Sequence, residues 1–165
     1  MNIVLCGFMG CGKSTIGKQL AKKLGINFVD TDEYVEQSEN MKISEIFDKI
    51  GEDYFRNAEF EACKKFSQEN NYVISTGGGA LTFERNVNIF KDNSIIVFID
   101  VPFDVICQRI GDCKTRPLFA DKEKAQKLYN TRKNLYANVG DCIIDGNNSV
   151  HRVVKAIIDE IKLRQ

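Results

Sequence analysis

The stretch GFMGCGKS, residues 7–14, decides how this chain folds, because a glycine, four further residues and then Gly12, Lys13 and Ser14 make the phosphate-loop pattern. Glycines let such a loop wrap around phosphates with its N–H groups pointing inward, and the following helix N-terminus adds positive charge. The lysine reaches the β- and γ-phosphates, and the serine hydroxyl can ligate Mg²⁺. An apolar run before the loop, Ile3–Cys6, and a helical pattern after it fit the motif. We therefore predict a nucleoside triphosphate site rather than an ordinary glycine-rich turn.

The composition is typical of a globular protein and gives no indication of a nucleic-acid-binding or membrane protein. Of the 165 residues, 43% are hydrophobic, and 23 basic side chains balance 23 acidic ones, so bulk charge indicates no nucleic-acid or membrane partner. No apolar run approaches the roughly 20 residues of a membrane span. Because the chain starts directly with strand and phosphate loop, we expect no signal peptide. The expectation is a single domain that is cytoplasmic and monomeric.

The cysteines favour free thiols in a reducing compartment. None of the six forms a C-x-x-C pair, and the lone histidine, His151, cannot complete a usual zinc set. Cys11 lies inside the loop and is a candidate for oxidation or alkylation.

Hydrophobic periodicity predicts alternating strands and helices. Among the predicted helices are one that ends at Gly25, a short one near 82–91 and one with Pro102 in its first turn. The segment 33–69 shows only helical periodicity and is predicted to be a long helical insertion, whereas the polar segment 111–120 is predicted to be an exposed loop. Near-continuous apolar runs such as Ile95–Ile99 are typical of a parallel sheet covered on both faces. The sequence thus predicts a doubly wound α/β domain. Its predicted strands are residues 3–6, 26–29, 72–75, 95–99 and 142–145.

Ligands of open α/β sheets bind beyond the carboxyl ends of the strands. Three such ends carry candidate residues: 7–14, 30–32 and 76–79. Six of the 12 glycines lie at two of these ends, which indicates close backbone approach to ligands.

An acidic residue is expected near the metal of a phosphate-loop enzyme, and Asp30, Asp100 and Asp145 compete for this role. Asp100 precedes a helix that starts with a proline, and this position favours a structural role for Asp100 at the start of that helix. Asp30 is distinguished by Asp32, since one carboxylate could lie near Mg²⁺ while the other accepts a hydroxyl proton. The alternative for Asp32 is an N-cap for a helix starting at Glu33.

The cations have ordinary explanations at this point. Arg56 precedes Glu59 by three residues, and this spacing favours an exposed ion pair on a helix. Arg116 and Arg132 can be loop and helix charges. His151 is expected at the surface, which leaves a carboxylate as the natural base.

Six segments follow one another in the order found in one kinase family: GFMGCGKST, FVDTDEYVEQ, GEDYFRNAE, STGGGA, RIGDCKTRPLF and TRKNLY. Through these segments the chain resembles the shikimate kinases over essentially its whole length. The resemblance implies a fold like that of nucleoside monophosphate kinases with sheet order 2-3-1-4-5, an acceptor-binding insertion at about 32–60 and a mobile lid at about 111–120. It implies phosphorylation of the 3-hydroxyl of shikimate by ATP, with Mg²⁺.

For the acceptor, the resemblance implies that Asp32 binds the shikimate hydroxyls and acts as the base. Arg56 and Arg132 would grip the carboxylate, which suits planar, bidentate arginines. Backbone N–H groups would contact the hydroxyls. The glycines concerned are Gly77, Gly78 and Gly79.

For ATP, the resemblance implies that Arg116 closes with the lid onto the phosphates and that Arg109 lies along the adenine. Asp30 would approach Mg²⁺ through water, beside Ser14. Lys13 and Arg116 would join Asp32 in catalysis. The loop residues predicted to bind the nucleotide are Gly10, Cys11, Gly12, Lys13, Ser14 and Thr15.

Two other classes remain as alternatives. One is another small-molecule kinase of this fold, acting on gluconate or a nucleoside monophosphate, against which Asp32, Arg56 and Gly78 argue. The other is a nucleotide-binding switch without a small acceptor. The guanine-reading N-K-x-D pattern of a GTPase does not occur in the sequence.

Overall fold

Five parallel strands form the sheet in the order β2-β3-β1-β4-β5, as the resemblance implied. The structure is a computed structural model and describes residues 1–111 and 121–164. Pairing is in register along the sheet, with Leu5 beside both Ser75 and Val97. The strands are β1 Asn2–Cys6, β2 Asn27–Asp30, β3 Tyr72–Ser75, β4 Ser94–Asp100 and β5 Cys142–Asp145.

Helices cover both faces of this sheet, as predicted. The helices are α1 Lys13–Leu24, α2 Thr31–Glu39, α3 Ile43–Lys49, α4 Glu52–Ser67, α5 Glu84–Phe90, α6 Phe103–Ile110, α7 Lys122–Val139 and α8 Val150–Leu163. α1 packs with α8, while α5 and α7 pack against β4. The buried residues of β1 and β4 lie between these layers, which explains why both strands are apolar on both faces.

The helical insertion consists of α2, α3 and α4, which pack on one another. It has a small core of its own, formed by Val35, Ile46, Phe55 and Ala62. Gly51 separates α3 from α4 and is the N-cap of α4, where its φ of 120° favours glycine. The insertion leads into β3. One residue separates the end of this strand from residues 77–79, three consecutive glycines that form the glycine turn.

Helix boundaries follow the sequence prediction closely. α1 stops at Gly25, whose φ of 68° gives a left-handed C-cap, as expected for a glycine after a helix. The short helix predicted near 82–91 is a 3₁₀ turn, Ala80–Thr82, followed by α5. Pro102, expected in the first turn of α6, is instead its N-cap.

Within the described residues, no helix is both long enough and apolar enough to cross a membrane. Cys6, Cys11, Cys63, Cys107 and Cys142 are free thiols, as predicted. Cys11, the candidate for oxidation or alkylation, is only 1% exposed, so the fold shields its thiol from reagents.

Candidate active site

The phosphate loop connects β1 to α1 at the centre of the sheet. Gly7 adopts a φ of 150°, and a β-carbon there would meet the Ile99 carbonyl oxygen at 2.7 Å, so no larger residue fits beside β4. Gly12, with a φ of 94°, is the N-cap of α1. Gly10 is equally tightly packed, because a β-carbon at this position would lie 2.9 Å from Ile110 Cδ1. The glycines therefore permit the tight curvature that a phosphate-binding loop requires.

Lys13 is the first residue of α1, and its side chain is folded into the loop. Its Nζ donates to the carbonyl oxygens of Gly7 at 2.6 Å and Phe8 at 3.3 Å, and it lies 3.6 Å from Cys11 Sγ. Cys11 also donates its N–H to Phe8 at 3.1 Å. The ammonium thus sits inside the curve where a phosphate would carry the opposite charge.

Ser14 and Asp30 bring the loop and the end of β2 together. Ser14 Oγ donates to Asp30 Oδ2 at 2.5 Å. Asp30 Oδ1 accepts from the N–H groups of Asp32 at 3.0 Å and Glu33 at 3.2 Å, so Asp30 is the N-cap of α2. The capping alternative considered for Asp32 was wrong, because α2 begins at Thr31 and Asp32 lies in its first turn.

The oxygen pair of Ser14 and Asp30 fits Mg²⁺. This ion prefers hard oxygen ligands, keeps several waters, and is usually held by one or two protein oxygens together with substrate phosphates. In residues 1–111 and 121–164, no group of three or more His, Cys, Asp or Glu side chains could hold a metal by itself. A metal at this point would therefore depend on a nucleotide for its other ligands.

Asp32 has an environment that favours a protonated carboxyl. Burial raises the pKa of Asp32 to about 7, with further increases from the nearby carboxylates of Glu59 and Asp30, while Lys13 and Arg56 act in the opposite direction. A carboxylate with a pKa near the working pH is suited to general base catalysis. The arrangement at the end of β2 can thus take up a proton.

The glycine turn after β3 contacts the predicted acceptor residues one by one. A β-carbon at Gly77 would lie 2.5 Å from Asp32 Oδ1, and one at Gly79 would lie 2.7 Å from Arg56 Nη1. At Gly78 the nearest atom would be Arg132 Nη1, at 3.4 Å. The turn therefore runs alongside Asp32, Arg132 and Arg56 in sequence.

The three glycine N–H groups are not equivalent. Gly77 donates to Thr31 Oγ1 at 3.3 Å, so the prediction that this N–H faces a ligand meets a competing acceptor. Within the part of the chain that the structure describes, the N–H groups of Gly78 and Gly79 donate to no protein acceptor. These two are the free donors of the turn.

Arg56 and Glu59 form a buried pair on α4, not the exposed pair that spacing favoured. Arg56 Nη1 donates to Glu59 Oε1 at 2.9 Å, and the side chains are 14% and 1% exposed. The reason is tertiary, since α4 turns this face towards the glycine turn. Burial raises the pKa of Glu59, although Arg56, Arg132 and Arg85 counteract the increase.

Arg132 projects from α7 towards the same turn. Its neighbour one helical turn later, Tyr136, donates its hydroxyl to the Gly78 carbonyl and also contacts Arg132. Tyr136 is 1% exposed. Sequence reasoning assigned it no role, although it lies within the segment TRKNLY that carries the family resemblance. It is a structural link between α7 and the glycine turn.

Arg109, at the end of α6, bridges two loops. Its Nη1 donates to the Cys11 carbonyl at 3.4 Å and its Nη2 to the Gly146 carbonyl at 3.0 Å. It therefore lies beside the phosphate loop and the turn after β5. Arg116 and all but the first residue of the predicted lid, 111–120, lie outside the described residues.

The competing acidic residues have other partners. Asp100 is not at the start of α6. It lies 3.3 Å from Lys133 Nζ, in an ion pair with α7. Asp145 accepts from the Asn147 N–H at 2.8 Å in the turn after β5. Asp30 is thus the candidate acid that contacts Ser14.

A cleft of about 340 Å³ joins the three strand ends. It brings together the loop, both carboxylates after β2 and the first part of the glycine turn. Met9 and Thr76, from the candidate stretches 7–14 and 76–79, also line it, and so do Glu33 and Glu36, which the sequence had not singled out. The predicted residues along the cleft are Gly10, Gly12, Lys13, Ser14, Thr15, Asp30, Asp32, Gly77 and Gly78.

Comparison with known proteins gives a consistent result. The family model for shikimate kinase matches residues 9–162. A shikimate kinase from Aquifex aeolicus (strain VF5) is 42% identical over 159 residues, which cover 96% of this chain and 94% of that protein.

Solved structures agree with the sequence match. The crystal structure of the Aquifex aeolicus enzyme aligns with a TM-score of 0.87 at 40% identity, covering 99% of this chain and 98% of the other. A shikimate kinase from Acinetobacter baumannii, solved in complex with shikimate, aligns with a TM-score of 0.93 at 33% identity, covering 99% and 94%.

Proposed function

This chain belongs to the shikimate kinase family, and from that premise we propose that it transfers the γ-phosphoryl group of ATP to the 3-hydroxyl of shikimate. The proposal rests above all on one observation: Asp32 lines the same cleft as Lys13 and Ser14. A proton acceptor and a phosphate site therefore face one volume, as transfer between two substrates requires.

Asp32 acts in this proposal as the base. Its carboxylate takes the proton of the 3-hydroxyl while that oxygen forms its bond to the γ-phosphorus and the bond from phosphorus to the β,γ-bridging oxygen breaks, releasing ADP. A pKa of about 7 supports this role, because the ionised form is available at neutral pH and still binds a proton well.

Lys13 and the loop N–H groups stabilise the negative charge on the phosphate oxygens. The fit of Ser14 and Asp30 supports a Mg²⁺ bound with ATP, and when bound the ion would neutralise charge on the β- and γ-phosphates. We further propose that Gly10, Cys11, Gly12 and Thr15 complete the phosphate site. Arg109 would lie along the adenine, and Arg116 would close onto the phosphates.

Arg56 and Arg132 hold the shikimate carboxylate. Their guanidinium groups lie against Gly79 and Gly78, which supports a shared binding surface for the carboxylate and the ring hydroxyls. The free N–H groups of Gly78 and Gly79 donate to those hydroxyls. Gly77 has no side chain, which leaves room for the Asp32 carboxylate. This assigns residues of about 32–60 to acceptor binding and about 111–120 to a lid within one domain.

We also propose that the protein works as a cytoplasmic monomer. The balance of 23 basic and 23 acidic residues supports a small-molecule substrate over a nucleic acid or membrane partner.

A coupled assay of ADP release tests the function. We expect turnover with shikimate in the presence of ATP and Mg²⁺, and little turnover with gluconate or nucleoside monophosphates. Turnover with gluconate but not shikimate would assign the chain to another kinase. Nucleotide-dependent partner binding without any turnover would favour the switch.

A further inference from the structure

The Arg56 guanidinium lies among aromatic rings from two different parts of the chain. Its Cζ is 5.2 Å from the centre of the Phe55 ring, on the same helix, and 5.0 Å from the centre of the Phe83 ring, which follows the glycine turn. Cations at this distance from an aromatic face are attracted by its quadrupole. Two rings therefore restrict where this guanidinium can lie.

Polar contacts occupy only part of the guanidinium. Glu59 accepts from Nη1 at 2.9 Å, and Glu52 Oε1 lies 3.6 Å from Nε. Arg85 fixes the backbone beneath, donating to the Arg56 carbonyl at 2.9 Å. Among the described residues, Nη2 donates to no acceptor, which leaves one corner of the fork for a ligand.

Phe83 is an unfavourable residue for its own local structure. It is the N-cap of α5 and makes no side-chain capping bond, at a position where Ser, Thr, Asp or Asn is preferred. Its side chain is 37% exposed and does not belong to the hydrophobic core. Residues that break a local rule without a packing benefit are expected at functional sites.

The backbone carries Phe83 in a fixed position relative to Gly79. Thr82 Oγ1 donates to the Gly79 carbonyl at 2.6 Å, and the buried Asn86 amide donates to the Ala80 carbonyl at 2.8 Å. The Phe83 N–H donates to the same Ala80 oxygen at 3.4 Å. The ring and Gly79, which both contact Arg56, thus belong to one hydrogen-bonded unit.

We propose that Phe83 is a positioning residue that holds the Arg56 guanidinium in the orientation that receives the carboxylate of the acceptor. The inference rests on the proposed function and adds a residue to its acceptor site. An arginine that is already oriented loses less conformational entropy when a carboxylate binds. Phe83 accordingly contributes to affinity for the carboxylate group and not to the chemical step.

The variant Phe83→Ser separates folding from this role, because serine is a better N-cap than phenylalanine. We expect a Tm equal to or above that of the unmodified protein. The Kd for shikimate, measured by calorimetry, and the KM for shikimate should rise about three- to tenfold, the size expected for one lost cation–π contact. The KM for ATP and kcat should stay within about twofold.

A neutral acceptor gives the readout that a general structural defect would not move. Preference for shikimate over its methyl ester should fall in Phe83→Ser by about the same factor as affinity, and Phe83→Tyr should restore it. The matched control is Leu24→Ser, which replaces an apolar residue of similar exposure, 38%, at the end of α1 that lies away from the phosphate loop. It should leave both affinity and preference unchanged.

The outcomes are distinguishable. If the unmodified protein does not turn over shikimate, the proposed function fails. If it does, and Phe83→Ser retains the affinity and the preference for the charged acceptor, Phe83 has no positioning role. Loss that Phe83→Tyr does not restore also overturns the inference.

Discussion

The Gly77 α-carbon lies so close to the Asp32 carboxylate that a β-carbon at position 77 would be 2.5 Å from Oδ1 and 3.0 Å from Cγ. In real structures a β-carbon essentially never comes within 3.0 Å of a heavy atom of a non-neighbouring residue. The end of β3 therefore determines where the carboxylate at the start of α2 can lie.

We predict that Gly77→Ala impairs catalysis much more than folding. The added methyl group displaces the Asp32 carboxylate, and a misplacement of about 1 Å can cost about 100-fold in rate. We expect kcat to fall by about 10- to 100-fold in the ADP-release assay. Gly25→Ala is the control, since its left-handed φ of 68° is strained by alanine but no atom lies nearby, and it should lower Tm without lowering kcat.

The pH dependence of the reaction with shikimate should follow the ionisation of the Asp32 carboxyl group. Because burial and the neighbouring carboxylates raise its pKa to about 7, kcat/KM for shikimate should increase with pH through about 7 and then level off. Glu59→Gln removes a negative charge that raises this pKa, so the rise should move to lower pH. Asp32→Asn should reduce kcat by about 10² to 10⁴ above pH 7, and it should abolish the rise with pH. A near-normal kcat in Asp32→Asn would limit Asp32 to binding.

The same pKa predicts that Asp32 destabilises the fold when ionised. The pKa is 3.8 in an ordinary environment and about 7 in the folded protein, so between these values the folded state binds more protons than the unfolded state. Its contribution to stability is therefore present below about pH 4 and is lost as the pH rises to 7. Asp32→Asn should raise the free energy of unfolding in urea by about 1–2 kcal/mol at pH 8. The gain should shrink towards pH 5, and a gain that does not vary with pH would contradict this account.

Asp30 caps α2 and, in the proposed function, also lies near Mg²⁺, and substitutions can separate these two roles. Asparagine caps a helix as well as aspartate, but its neutral oxygen is a weaker ligand for Mg²⁺. Asp30→Asn should therefore keep the Tm while the Mg²⁺ concentration for half-maximal activity rises about tenfold. Asp30→Ala should share that effect and also lose about 1 kcal/mol of stability with the cap. Equal Mg²⁺ requirements in Asp30→Asn and the unmodified protein would rule out a metal role.

Tyr136→Phe tests the link between α7 and the glycine turn. The hydroxyl donates to the Gly78 carbonyl, and its removal leaves a partly buried oxygen without this partner. We expect a loss of about 1–2 kcal/mol in stability, together with a several-fold rise in the KM for shikimate. Leu135→Ala, next on the helix but 37% exposed, should leave that KM unchanged.

The sequence predicts the parts of this protein that local rules determine. Strands β1 and β4, the loop between β1 and α1 and the stop of α1 at Gly25 each follow from periodicity or backbone geometry, and the structure confirms these elements. The strand order was available only through the resemblance, because spacing does not say which strands pair.

Tertiary burial explains what spacing could not predict. Residues three apart on a helix suggest an exposed pair, yet α4 packs so that Glu59 is 1% exposed among arginines. Similarly, two aspartates after a strand do not reveal which one caps the helix. Asp30 does so because it directly precedes α2, whereas Asp32 is the second residue of that helix. The roles of individual site residues remain predictions for the experiments above.

The acceptor residues have a consequence for how such an enzyme can change. Asp32, Arg56 and the glycine turn fall within one uninterrupted stretch, from the end of β2 to the start of α5, whereas the phosphate loop precedes it. In the proposed function, acceptor choice is thus encoded largely in one cassette, the residues between β2 and α5. Because this cassette contains β3, which pairs with β1, an exchange must keep that strand. Arg132, on α7, is the member of the proposed set outside that stretch. A chimera that transplants the cassette must bring along a matching residue at position 132.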